Sequence, residues 1–243
     1  MDSFAPEVVA LAAAIAAAAG VIRGITGFGG AMVMSPPLAL LLGPILAVPI
    51  VLLLESIAAT PMLFATRRLV RWPLIGPIML TACVTAPLGT YVLLHVEPQV
   101  MRRVIAAVVI VFSLMLLRGW RYTGAQRLST SLGLGGLSGA MVGATGMGGP
   151  PVILYLLAGP DPIETTRANL TYFVWAIALA SFVSLWLSGV VGAHGLWLAL
   201  LLTPGYYIGM IAGTRLFSRF NDARFRQFTL VFMMTVAAFI LVA

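Results

Sequence analysis

Apolar residues fall along this chain in ten blocks separated by short polar breaks, at roughly 8–22, 30–43, 44–65, 73–94, 100–117, 128–145, 148–159, 168–190, 195–216 and 225–243. A helix needs about 20 apolar residues to cross the hydrocarbon core of a bilayer, and six of the blocks approach that length. Blocks 30–43 and 148–159 are too short, and each directly follows a glycine cluster. The pattern predicts half-helices or re-entrant pieces there, each paired with the helix before it. The fold class it implies is an all-α membrane protein, a polytopic helical bundle.

The glycine clusters are copies of one another. Gly24-Ile25-Thr26-Gly27-Phe28-Gly29-Gly30 recurs 119 residues later as Gly143-Ala144-Thr145-Gly146-Met147-Gly148-Gly149, with five of seven positions identical. A Pro-Pro pair follows each, Pro36-Pro37 and Pro150-Pro151. Gly89-Thr90 matches Gly213-Thr214, and Arg102 matches Arg226, at an offset of 124. The longer offset places about five extra residues in the second half, at 159–164. The chain therefore reads as two repeats, 1–120 and 121–243, within one integral membrane domain. Each repeat is expected to hold a broken or re-entrant helix pair and three transmembrane helices. Interrupted hydrophobic segments at corresponding positions of two halves mark the binding site of a transporter built from internal repeats.

Composition agrees with a lipid setting. The chain is 61% hydrophobic and 9% charged, with a mean hydropathy of +1.07, against about 25% charged residues in soluble domains. Its net charge of +7 comes from arginine, since lysine is absent. Eleven of the fourteen arginines gather in four places: Arg67, Arg68 and Arg71; Arg118, Arg121 and Arg127; Arg167; and Arg215, Arg219, Arg224 and Arg226. The positive-inside rule puts these in the cytoplasm. Matching loops then carry opposite bias: 67–71 is basic where 190–195 has no arginine, and 94–98 has none where 218–222 is basic. That is the mark of inverted-topology repeats, and it predicts both termini outside the cytoplasm. Val8 to Val21 follows Asp2 and Glu7 without a basic residue, so it is read as a retained first membrane segment, not a secretory signal.

Several function classes drop out. No solvated basic face is available for nucleic acid. Cys83 is the one cysteine, and His95 and His194 stand apart without metal-ligand spacing. No Walker sequence and no catalytic constellation is present, so neither an enzyme nor a cofactor is implied. Trp72, Trp120, Trp186, Trp197 and Tyr122 fall near block ends and read as interfacial belt residues.

The glycine motifs are the candidate site. Irregular backbone is tolerated at membrane depth only where it lines a cavity or is buried in protein. Unpaired N–H groups and the helix dipole at the start of each half-helix would cradle an anion. The candidate substrate-binding residues are Arg23, Thr26, Gly27, Phe28, Gly29, Gly30, Thr145, Gly146, Met147, Gly148, Gly149 and Asn169. Thr26 and Thr145 would add hydroxyl donors. The competing reading is that the glycines serve helix packing. Arg23 has apolar Val142 at the matching position, so it is either a single counter-charge for an anion or an arginine reaching to the interface. Glu55 is the one acidic residue deep in a block; it carries a coupling proton or forms an ion pair with Arg23. Asn169, Thr171 and Tyr172 either face the site or cap a helix.

The duplicated Thr-Gly-x-Gly-Gly, the following prolines, the late Gly209-x-x-x-Gly213-Thr214-Arg215 segment and the chain length resemble the TauE/SafE family of sulfite and organosulfonate transporters. The resemblance runs from about Val8 to Ala243. It implies a bacterial inner-membrane secondary carrier for a small sulfur-containing anion such as sulfite, thiosulfate or an organosulfonate. Alternating access would turn about a midplane site at the two half-helix ends. The alternative is an anion-selective channel with the same ends as its filter. The implied partners are that anion and membrane lipid, with no nucleic acid; proton coupling and a homodimer are both compatible. The first half departs from the second in having Ala31-Met32 where the second has Pro150-Pro151, so the halves are not expected to contribute equally.

Overall fold

A computed structural model describes residues 5–26, 29–119, 122, 124, 126–156, 158–217 and 238. These form helices α1 (Pro6–Thr26), α2 (Gly30–Leu42), α3 (Pro44–Thr66), α4 (Trp72–His95), α5 (Pro98–Leu117), α6 (Leu128–Thr145), α7 (Gly149–Leu156), α8 (Ile163–Leu187) and α9 (Ala193–Phe217), with no strand among the described residues. Six of them are long and apolar enough to cross a membrane: α1, α3, α4, α5, α8 and α9. The two short blocks form short helices. At 1.5 Å per residue α2 is roughly 20 Å long and α7 roughly 12 Å, against about 30 Å of hydrocarbon. The tenth block, 225–243, lies outside the described residues apart from position 238.

Chain chemistry explains most helix ends. Pro44 and Pro98 open α3 and α5, where the missing N–H costs nothing and φ is already helical. α8 starts at Ile163, five residues before its apolar block, because Glu164 in its first turn suits the positive end of the helix dipole. Asn169 is therefore well inside α8. The outer surface is apolar: Phe64, Val84, Leu187, Trp197 and Ile208 are among the most exposed side chains. Trp72, Trp186 and Trp197 lie exposed near helix ends, as a membrane belt requires. α3 is the central helix, with 61% of its membrane-length window buried against at most 39% in the other five.

Two helix pairs pack most closely, α1 on α9 and α4 on α6. Their seams are glycine against carbonyl. A Cβ at Gly20 would collide with the carbonyl oxygen of Tyr206, at Gly24 with that of Met210, and at Gly213 with that of Val21. In the other pair Gly139 meets Ala82, Gly143 meets Ala86, and Gly89 meets Ala140 in the same way. Adding 119 to the α1 numbers and subtracting 124 from the α9 numbers converts the first set of contacts into the second. The two pairs are built to one plan, and each draws one helix from each half of the chain.

Candidate functional site

The last turn of α1 carries Arg23, which is only 5% exposed. The interface reading for this arginine is thereby set aside. Its Nη1 forms an ion pair with Oε2 of Glu55, buried on α3. The Tyr206 hydroxyl, from α9, donates to Oε1 of the same carboxylate at 2.7 Å. Desolvating two charges is expensive unless geometry is good and further hydrogen bonds engage the remaining lone pairs; Tyr206 supplies that third contact. Gly30 makes room for the trio, because a Cβ there would collide with the Tyr206 hydroxyl and lie 2.6 Å from Glu55 Oε1. Nε of Arg23 is buried without a partner.

Arg23 and Glu55 face a cavity of ≈ 40 Å³, measured as space for the centre of a water-sized sphere. Both glycine motifs open onto it. Gly29 comes from the first, with Ala31 and Met32 just after it; Gly146, Met147, Gly148 and Gly149 come from the second, with Pro150 just after it. The rest of the lining is apolar, with Val142 and Ile177 on facing helices.

The two half-helices begin differently. Gly29 caps α2 at φ 90°, a left-handed conformation that glycine adopts without strain. The first helical bond runs from Val33 N–H to Gly29 O at 3.1 Å, so the N–H groups of Gly30, Ala31 and Met32 have no acceptor within the helix. In the second motif the left-handed glycine is Gly146, at φ 74°, which closes α6. α7 then begins Gly149-Pro150-Pro151, and the two prolines remove N–H groups that the first half-helix retains. Ser35 on α2 donates to the Thr145 carbonyl at 2.6 Å and ties the two motifs together.

Not every predicted residue joins the cavity. Thr145 donates its hydroxyl to Met141 O at 2.7 Å and accepts from Met147 N–H at 3.2 Å, so its one hydroxyl proton is already given away. Thr26 ends α1, and Gly27 and Phe28 lie outside the described residues. Asn169 is fully buried elsewhere, with Oδ1 accepting from the Arg71 N–H at 2.9 Å. Arg71 precedes α4 and also pairs with Asp161. Asn169, well inside α8 and not at its cap, thus holds the α3–α4 turn and is absent from the cavity lining.

Sequence reasoning missed Tyr206 and Ser35. The available signals were a phenol deep in an apolar block beside Pro204-Gly205, and the one hydroxyl directly before Pro36-Pro37. Among the described residues no cluster of His, Cys, Asp and Glu could hold a metal.

No match is found among curated proteins or among solved structures. The profile of one family, the sulfite exporter TauE/SafE, matches residues 12–240, nearly the whole chain. With six membrane-length apolar helices and this profile over nearly its whole length, this multi-pass membrane protein belongs to the TauE/SafE sulfite exporter family.

Proposed function

We propose that the protein is a secondary carrier for a small sulfur oxyanion, sulfite or a compact sulfonate, bound in the cavity between the two broken helix pairs. The observation that carries this reading is Arg23, a cavity-lining residue with an unpartnered Nε, beside a cavity onto which both glycine motifs open. A buried donor without an acceptor is costly, and an oxyanion would satisfy it. The start of α2, with Gly29, Ala31 and Met32 in the cavity lining, adds N–H groups without helical acceptors and a favourable dipole. On the same measure one water needs roughly 10–15 Å³, so ≈ 40 Å³ suits about three waters or one compact ion.

The chain is proposed to lie in a bacterial inner membrane as two inverted repeats, 1–120 and 121–243, with both termini outside the cytoplasm. Opposite arginine bias at matching loops supports the inversion. The matched glycine contacts at fixed offsets support the repeat itself. Since each close helix pair takes one member from each half, the bodies that move in alternating access are the crossed pairs. Glu55 keeps Arg23 neutralised within the cavity wall.

Purified protein reconstituted in liposomes tests the reading. Sulfite, thiosulfate, taurine, sulfoacetate and an arylsulfonate are first ranked by thermal shift. Saturable counter-exchange of the labelled best binder is expected. Current without exchange would identify a channel, and no response to any of these anions would remove the sulfur-anion assignment.

A further inference from the structure

We propose that Glu55 makes the cavity a charge filter, which admits singly charged tetrahedral anions and rejects doubly charged ones of the same size. This rests on the reading that the transported anion binds at Arg23. Among the described residues Arg23 is the sole cation in the cavity lining and Glu55 the sole anion, and they are paired to each other. The formal charge of the wall is therefore zero. What remains for a ligand is the part of the Arg23 guanidinium that Glu55 does not engage, and the partial positive charge of the α2 start, equivalent to roughly half an elementary charge. A monoanion is matched by those donors. A dianion brings a second negative charge that nothing in the wall balances, against a carboxylate a few ångströms away. The remaining wall is apolar and cannot hydrate the excess.

Two features keep Glu55 from yielding. Tyr206 holds Oε1 from behind, at 2.7 Å and from a side chain only 1% exposed. Gly30 packs against this same contact, so close that even a methyl group would not fit beside the Tyr206 hydroxyl and Oε1. The carboxylate is fixed where an incoming dianion meets it. The second half supplies no compensating charge, since the position matching Arg23 is Val142, itself in the cavity wall.

Methanesulfonate and thiosulfate form a matched pair of probes. Both are tetrahedral at sulfur with the same number of heavy atoms, and at neutral pH one carries a single charge and the other two. Binding of each to the detergent-purified protein is measured by competition and by thermal shift. The wild-type protein is expected to prefer methanesulfonate by about tenfold or more, the scale of one uncompensated charge at short range in a protein interior. Glu55→Gln removes the repelling charge and is expected to shift the ratio toward thiosulfate by at least about tenfold. Where that variant folds poorly, Tyr206→Phe keeps both charges while releasing Glu55, and the ratio narrows. Thiosulfate binding the wild type as tightly as methanesulfonate overturns the filter, as does a ratio unmoved in Glu55→Gln. Arg23→Gln separates the filter from the reading beneath it. Loss of both anions supports binding at Arg23, and undiminished binding of both places the anion site elsewhere.

Discussion

Adding one methyl group at Gly30 should disable the site, while the same change at its repeat counterpart Gly149 should not. Gly30→Ala places a Cβ against the Tyr206 hydroxyl, 2.6 Å from Glu55 Oε1 and 3.3 Å from the Arg23 Cβ. Carbon and oxygen do not approach closer than about 3.0–3.3 Å without strain, so something must move. Tyr206 is 1% exposed and the carboxylate is held by two partners; neither can yield without breaking the trio. Overpacking of this kind costs about 1–3 kcal/mol, and the lost buried hydrogen bond adds about 1–3 kcal/mol. At Gly149 the nearest atom is Ile153 Cδ1 at 3.3 Å, the end of a flexible side chain. Gly149→Ala should therefore be neutral or stabilising by about 0.4–1 kcal/mol, through the restricted unfolded chain. Thermal unfolding in detergent reads the difference, at about 2–4 °C per kcal/mol for a chain of this size. Anion binding is measured in parallel. Equal behaviour of the two variants would refute the reasoning, because both glycines would then be serving one generic packing role.

Glu55→Gln leaves the buried Arg23 charge alone and should destabilise by about 3–5 kcal/mol, with Arg23→Gln/Glu55→Gln recovering much of the loss. A single variant that still accumulates anion in proteoliposomes and responds fully to a pH gradient would eliminate proton coupling through this carboxyl. Gly24→Leu and Gly143→Leu fill matched seams and should lower the yield of folded protein alike; a large effect at only one would break the correspondence of the two pairs. Asp161→Asn removes the ion pair with a half-exposed Arg71 and should change stability by no more than about 1 kcal/mol, whereas a collapse on heating would make that loop contact structural. Cysteines introduced at Val70 and Val191 should be labelled from opposite sides of the membrane, and labelling from one side would end the inverted topology.

Most of the helix plan was legible because membrane-length apolar blocks and glycine breaks are strong signals. The two short blocks became α2 and α7 within a few residues of their expected limits. Arg23 and Glu55 could be singled out because a charge at membrane depth is conspicuous in sequence. Their pairing required the third dimension, since α1 and α3 meet only through packing. Tyr206 escaped notice because tyrosine is common in membrane helices, and its value lies in which carboxylate it reaches. Thr145 was overvalued for the opposite reason: a hydroxyl at a helix end is as readily consumed by the carbonyl four residues back as offered to a ligand. Asn169 illustrates the same ambiguity, resolved by where the Arg71 backbone turns.

The crossed pairing of α1 with α9 also governs how the protein is made. α1 leaves the ribosome first, and the helix that covers its glycine face comes after nearly all the others. At about 5–20 residues per second, the gap between their syntheses is roughly 10–40 s, during which α1 waits in the bilayer without its partner. Glu55 reaches Arg23 early, but Tyr206 arrives only with α9. A nascent or truncated chain thus holds both charges of the site and lacks the phenol that fixes them. The buried trio is therefore completed only when α9 is in place.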